Sequence, residues 1–371
     1  MFVINLSGFA ADNDSTIVST KKGTILYKID FKKGFSVTDF ANPGNWVFTK
    51  KGVTSTKTGL SNYLMLYRQY SVNKRKGAVR VTMGNKTRFN FFTVETDHFH
   101  RFGTLVQLDA AEGALKIYAH YNADSTLYPS VLINRPYKFI AGHDYTVSMM
   151  RDNNDNMFTI TDHSTNLSDT VVDKGGITSG IVRDGFAVAT ESGEPPVVKS
   201  LVINTAYDKN MKVLYMGDSI TEGLCNHPGL YSKYGAISGR SAGVVSGVQS
   251  RVWSELAILK PKYVVITIGT NGENSIANLT YLCQSIMRLG ITPILNNIPW
   301  KQPASVVEDN KIIAAVRQNL GLKGALYDVA TSIDGKNEQQ DFSIFYDGVH
   351  PDAVGVKRML TQLKKDVPEL F

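Results

Sequence analysis

The chain has 371 residues, of which 43% are hydrophobic and 20% charged, and a formal net charge of +7. That length exceeds one typical domain and favours two, with enough apolar residues for packed cores. No apolar run of about 18 residues or more occurs, so no transmembrane helix is expected. The two cysteines, Cys225 and Cys283, read as free and buried, and nothing resembles a thiolate metal site.

At the N-terminus, Met1-Phe2-Val3-Ile4-Asn5-Leu6 lacks a basic n-region and a long h-region. Either the protein is not exported by a cleaved signal or the chain begins after one. From there to about residue 205 the pattern is that of strands. Ile25–Phe31, Leu64–Arg68, Phe89–Val94, Thr104–Leu108, Leu115–Ala119, Tyr145–Met149 and Phe158–Thr161 are short segments rich in β-branched and aromatic residues. Turn residues separate them at fairly regular intervals, which predicts an all-β sandwich, most simply a jelly roll. The rhythm is similar to that of concanavalin-like and laminin-G-like lectin sandwiches, in pattern only.

Arg68, Lys74, Arg75, Lys76, Arg80, Lys86 and Arg88 follow one another with no acid between them and alternate with apolar residues. The plain reading is a solvated strand face or hairpin rim. Attraction to an acidic polysaccharide is the sharper reading, and nucleic acid comes last because no binding module accompanies the charge. Arg151-Asp152-Asn153-Asn154-Asp155-Asn156 reads as a hairpin loop; its oxygens suit calcium, but Asn and Asp turn chemistry explains it without a metal. The strand Val197–Ile203 closes this region, and Asn204–Asp208 is the expected linker.

The period changes from about residue 210. Val213-Leu214-Tyr215-Met216 is an apolar strand leading into Gly217-Asp218-Ser219. A weakly written second strand lies near Lys233–Ile237. Val244, Val248, Val252, Leu256 and Leu259 are spaced as on one helix face, and Val264–Ile268 is a buried strand ending at Gly269-Thr270-Asn271. A second helix over Ile276–Leu289, a strand over Pro293–Ile298, a third helix carrying Ile312, Ile313, Val316 and Leu320, a segment Ala325–Val329, and a final helix from about Asp352 to Lys364 complete the alternation. Such alternation predicts a parallel sheet with helices on both faces, and ligands beyond the carboxyl ends of its strands. Ser219, Asn271, Trp300 and the Asp347/His350 loop each follow a strand and are expected on one edge.

A serine hydroxyl is a poor nucleophile until a base removes its proton and donors hold the resulting oxyanion. Ser219 sits where a strand gives way to a helix, and Asp347-Gly348-Val349-His350 supplies an imidazole with an orienting carboxylate. His227, eight residues after Ser219, is the lesser base because no acid is placed to orient it. Asp218 and Glu222 are too close in sequence to serve as a glycosidase pair.

Gly217-Asp218-Ser219-Ile220, Gly239, Gly269-Thr270-Asn271 and Asp347-x-x-His350 resemble, in order, the four conserved blocks of the GDSL-type, or SGNH, serine esterase superfamily. The resemblance covers about residues 210–371 and implies a flavodoxin-like three-layer α/β/α hydrolase domain (206–371) behind an all-β accessory domain (1–205). It implies Ser219 as nucleophile, His350 as base and Asp347 as its orienter. The oxyanion would be held by the Ser219 N–H, the Gly239 N–H and the Asn271 amide, with Gly243 competing with Gly239. Two positions depart from the family pattern. Gly272 stands where Asp is usual, which should loosen the Asn271 loop, and Ile220 replaces Leu.

The implied reaction is hydrolysis of a carboxylic ester, with an O-acetylated carbohydrate the favoured substrate, small or polymeric. A glycan-binding, phage-tail-like adhesion protein with a vestigial hydrolase domain, and a lipase- or thioesterase-type enzyme, are the alternatives. No cofactor or metal is expected, nor a nucleic-acid or membrane partner. The oligomeric state is left open. Trp300 is a candidate floor for the acyl or sugar site, with ordinary packing as the alternative, and Arg240 is expected in a surface ion pair. The domain pairing points to an extracellular or periplasmic setting. The first domain is expected to select the polymeric substrate rather than to enable the chemistry.

Overall fold

A computed structural model describes residues 23–34, 36–94, 102–118, 131–153, 155–174, 184–301, 306–336 and 339–371. The N-terminal hexapeptide, Ala119 and Asn154, all part of the expectations above, lie outside the described residues.

Up to Thr205 the described regular structure is two antiparallel sheets with a few short 3-10 turns. In one sheet Lys74–Thr82 is central, between Asp144–Asp152 and Val197–Thr205. In the other, Arg88–Val94 lies between Phe102–Asp109 and Gly185–Ser192. Alternation along Lys74–Thr82 shows why the basic run is a strand. Arg75, Gly77, Val79 and Val81 point inward, while Lys74, Lys76, Arg80 and Thr82 are more exposed. The two sheets meet through one core that contains Val79, Val81, Tyr145 and Val147 from the first and Phe89, Phe91, Val106 and Phe186 from the second. Gly77 is required at that contact, since a Cβ there would lie 2.3 Å from the Phe186 ring.

The basic run is not a free solvated face. Arg68 pairs with Asp39 (3.7 Å), Lys74 with Asp152 (3.4 Å), Arg80 with Asp144 (2.9 Å) and Arg88 with Asp109 (3.0 Å). Each acid comes from another strand or loop, so the segment that lacks acids in sequence gains them in space. The expected hairpin forms, with Asp152 opposite Asp155 and Asn153 in the left-handed region at φ 55°. Asp152 is taken up by Lys74 and by the Asn153 side chain.

Beyond Val213 the chain forms a four-stranded parallel sheet. Its spatial order is Ala236–Gly239, Val213–Gly217, Tyr263–Thr267, Thr292–Leu295. Alternate residues of these strands enter two different cores. Leu214, Met216, Val264, Ile266 and Leu295 pack with Val248, Leu279 and Ile313. Val213, Tyr215, Val265 and Ile294 pack instead with Ile220, Val356, Met359 and Leu363. Helix residues thus enter both cores beside the near-continuously apolar strands.

In the place that the alternation leaves for a further strand, the segment Ala325–Val329 turns helical. The Asn296 side chain accepts the Ala325 N–H at 2.8 Å, and helix Tyr327–Ala330 starts at once. The helix over Val245–Leu259 is also interrupted, passing through a π turn at Val252–Leu256. Among the described residues no helix is long and apolar enough to cross a membrane.

Candidate functional site

Strand Val213–Gly217 is buried along its whole length and delivers the chain to the edge of the sheet. Gly217 must be glycine, because a Cβ would fall 2.0 Å from the Thr267 carbonyl oxygen and 2.2 Å from Thr221 Oγ1. Asp218 then caps the short helix Ser219–Gly223 by accepting the Ile220 N–H at 3.0 Å. This turn leaves Ser219 half-buried at the first helical position.

The other half of the site is built locally. Asp347 Oδ1 accepts the N–H groups of Val349 (3.0 Å) and His350 (2.7 Å), folding the four residues into a turn with Gly348 at φ 80°. Its second oxygen, Oδ2, lies 2.6 Å from His350 Nδ1. His350 Nε2 lies 2.8 Å from Ser219 Oγ. An ionised carboxylate can only accept, so the Asp347 contact places the proton on Nδ1 and leaves Nε2 to accept from the serine hydroxyl. Partial burial works against the Asp347 charge, but the His350 ring and the two backbone donors outweigh it and hold the carboxyl below its usual range. Asp218 is the opposite case. Full burial pushes its pKa up to about 6, against the Ile220 and Thr270 donors.

Asn271 stands on the turn after strand Tyr263–Thr267, its Nδ2 donating to the Gly243 carbonyl at 3.0 Å. Gly272 has φ 108°, which favours glycine over Asp, and the loop is supported in other ways. Asn274 Nδ2 donates to the Gly269 carbonyl (2.9 Å) and Lys301 Nζ to the Thr270 carbonyl (2.6 Å). Gly239 ends its strand against the helix Ser219–Gly223, where a Cβ would lie 2.0 Å from the Glu222 nitrogen. Gly243 has both backbone groups engaged, its N–H by the Arg240 carbonyl (3.0 Å) and its carbonyl by Asn271.

Arg240 is not in a surface ion pair. It is 2% exposed and its Nε lies 3.1 Å from the buried Asp184 carboxylate. Trp300 is 6% exposed and part of the main core, the packing alternative, and its backbone N–H donates to Thr331 Oγ1 at 3.1 Å. His227 ends the 3-10 turn that follows the helix Ser219–Gly223 in the chain. Among the described residues no group of three or more His, Cys, Asp and Glu is placed to hold a metal.

Sequence reasoning missed Tyr346, whose ring stacks on His350 with centroids 5.6 Å apart and planes at 13°, and which is 64% exposed. Its place next to Asp347 was the available signal. It also missed Arg251, whose Nη2 donates to the Gly217 carbonyl at 2.7 Å. Nothing in the helical spacing sets that arginine apart.

No family model and no curated protein matches the chain. Among solved structures, similar ones include a GDSL-like lipase from Bacteroides thetaiotaomicron at 21% identity, covering 44% of this chain and 90% of that one, with a TM-score of 0.39. A family 3 carbohydrate esterase from Clostridium thermocellum matches at 18% identity over 44% of this chain and 97% of that one, TM-score 0.37. The CBM2 module of the evolved Dit protein of Lactobacillus casei phage J-1 matches at 13% identity over 50% of this chain and 98% of that one, TM-score 0.39. Each likeness covers about half of the chain.

Proposed function

We propose that the chain is a serine esterase that cleaves carboxylic esters through an acyl-enzyme. The observation that carries this reading is the continuous hydrogen-bonded chain Ser219 Oγ, His350 Nε2, His350 Nδ1, Asp347 Oδ2, with separations of 2.8 and 2.6 Å. Ser219 Oγ attacks the ester carbonyl while His350 Nε2 takes its proton. The tetrahedral intermediate collapses as His350 returns that proton to the leaving alcohol oxygen. Water, deprotonated by the same nitrogen, then attacks the acyl-serine and releases the acid. Asp347 fixes the imidazole tautomer and stabilises the imidazolium.

The proposed oxyanion donors are the Ser219 N–H, the Gly239 N–H and Asn271 Nδ2, each worth about 2.7–4 kcal/mol in the transition state. The engagement of both Gly243 backbone groups favours Gly239 over Gly243 for the second donor. In this reading residues 1–205 form a jelly-roll-like domain and residues 206–371 a flavodoxin-like three-layer hydrolase domain.

The alcohol is proposed to be a carbohydrate and the acyl group acetyl. The exposed Tyr346 ring beside His350 supports this, since a flat aromatic face at the mouth of a site suits a sugar ring. An extracellular or periplasmic setting follows from such a substrate. Acetate release from a panel of acetylated polysaccharides, run beside binding to the same panel, tests the reading. Release is expected. Binding without release would favour the adhesion alternative, and activity confined to lipid esters or thioesters would favour a lipase or thioesterase.

A further inference from the structure

The edge of the parallel sheet is closed by the β-rich region. Val72 bridges Ser238 in antiparallel fashion, the Asn73 N–H donates to the Ile237 carbonyl at 2.7 Å, and Asn73 Oδ1 accepts the Ile237 N–H at 3.0 Å. Tyr207, in the expected linker, donates to the same Asn73 oxygen at 2.9 Å. A seam of buried charge runs behind this edge, and three contacts cross it toward the Ser219 turn.

The first contact runs through Glu255, on the π turn. Its Oε1 accepts the backbone N–H groups of Ser71 and Val72, the latter at 2.9 Å, and its Oε2 accepts Ser238 Oγ at 2.5 Å. Arg251, one π turn earlier, donates to the Ser238 carbonyl (2.9 Å) and to the Gly217 carbonyl (2.7 Å), two residues before Ser219. The second is Arg151, on the hairpin of the β-rich region, whose Nη2 lies 3.7 Å from Glu222 Oε1. Glu222 belongs to the nucleophile helix, and its Oε2 accepts the Ser241 N–H at 2.7 Å, on the loop between Gly239 and Gly243. The third is Asp184 with Arg240, whose own N–H points at the Gly217 and Asp218 carbonyls (3.3 and 3.2 Å).

We propose that the β-rich region is a positioning part of the esterase site, with Arg151 acting through Glu222 to hold the nucleophile helix against the oxyanion loop, and Asp184 and the Ser71–Val72 backbone anchoring the strand ends beneath it. The proposal rests on the esterase reading above. Burial opposes the charge on Glu222 and Glu255 alike, so each needs its cationic and N–H partners to stay an acceptor of fixed geometry. A two-domain enzyme whose first domain only delivered substrate would not need buried ions on both sides of the joint. Small displacements of a nucleophile or oxyanion donor cost rate rather than affinity, which separates positioning from substrate binding.

The test uses the full chain and p-nitrophenyl acetate, a substrate too small to engage a glycan surface. Arg151→Met and Glu222→Gln are each expected to fold by circular dichroism and to lower kcat by about tenfold with KM within about twofold. The double variant is expected to be no slower than the slower single one, because the two residues act along one path. Arg151→Lys, which keeps a cation without the planar fork, is expected to recover part of the loss. If Arg151→Met does not fold, Arg151→Lys decides, with a loss of about threefold in kcat at constant KM expected. Wild-type kcat in a folded Arg151 variant, or losses that multiply in the double variant, would overturn the positioning role alone. A wild-type chain that neither turns over the ester nor accepts a fluorophosphonate at Ser219 would overturn the esterase reading itself, and this inference with it.

Discussion

The Tyr346 ring lies nearly parallel to the His350 imidazole, at 13° and 5.6 Å between centroids, and the residue is 64% exposed. A residue so placed has two possible contributions, shielding the base and stacking on the alcohol part of the substrate. Tyr346→Ala is expected to raise KM for an acetylated oligosaccharide by about 2–10-fold, the range that an aromatic contact of about 0.5–1.5 kcal/mol gives. Turnover of p-nitrophenyl acetate should stay within about threefold of wild type. Comparison of KM on the two substrates checks this. Equal losses on both would assign Tyr346 to the imidazole rather than to the sugar.

Asn271 is held by its own donation to the Gly243 carbonyl and by a loop supported from Asn274 and Lys301. Asn271→Ala is expected to lower kcat by roughly 10²–10³ with little change in KM, since in the proposed mechanism its amide serves the developing oxyanion. A rise in KM alone would make it a ground-state binding residue. Gly272→Asp is expected to lower Tm because it forces a side chain into φ 108°.

Asp218 gives a pH signature of stability. Burial raises its folded pKa to about 6, from an ordinary carboxyl value near 3.8, so the folded chain binds this proton more tightly than the unfolded chain. Its contribution is therefore most favourable at low pH and is lost as pH rises from about 4 through 6. Asp218→Asn keeps an acceptor for the Ile220 N–H and removes the titration. Relative to wild type, the variant should be more stable at pH 7 than at pH 4.5, by an amount on the order of 2 kcal/mol. Denaturant melts at the two pH values measure it, and an equal difference at both would contradict the assignment.

A fragment of residues 206–371 is expected not to fold as an active unit. It would expose the Ala236–Gly239 edge and leave Arg240, Glu222 and Glu255 without Asp184, Arg151 and the Ser71–Val72 donors. Breaking one buried ion pair from one side costs about 3–5 kcal/mol, of the order of a whole domain's stability once repeated. The positioning proposal thus predicts a different outcome from the sequence-based expectation that the first region selects substrate without touching the chemistry. A soluble, folded fragment with full turnover of p-nitrophenyl acetate would restore that expectation.

The parts of the site that sequence made legible are those built by short-range geometry. Asp347 and His350 meet because three residues suffice for one carboxylate to accept two backbone N–H groups and the imidazole. Ser219 was marked by the strand that ends before it and by Gly217, which the close Thr267 carbonyl demands. The seam was not legible, because Arg240 finds its carboxylate at Asp184 and Glu255 its donors at Ser71 and Val72, over separations that carry no periodic signal. The helical turn in the segment Ala325–Val329 has the same origin. Its composition suits a strand, but the Asn296 side chain takes the Ala325 N–H and the helix at Tyr327 begins at once.

The serine hydroxyl at 2.8 Å from His350 Nε2 is the centre of the account. Turnover of p-nitrophenyl acetate by Ser219→Ala, with its circular dichroism recorded in the same preparation, is the most direct measurement. A folded variant is expected to lose at least about 10³-fold in kcat, as removal of a nucleophile does. A folded Ser219→Ala variant that turns the ester over at the wild-type rate would contradict the account.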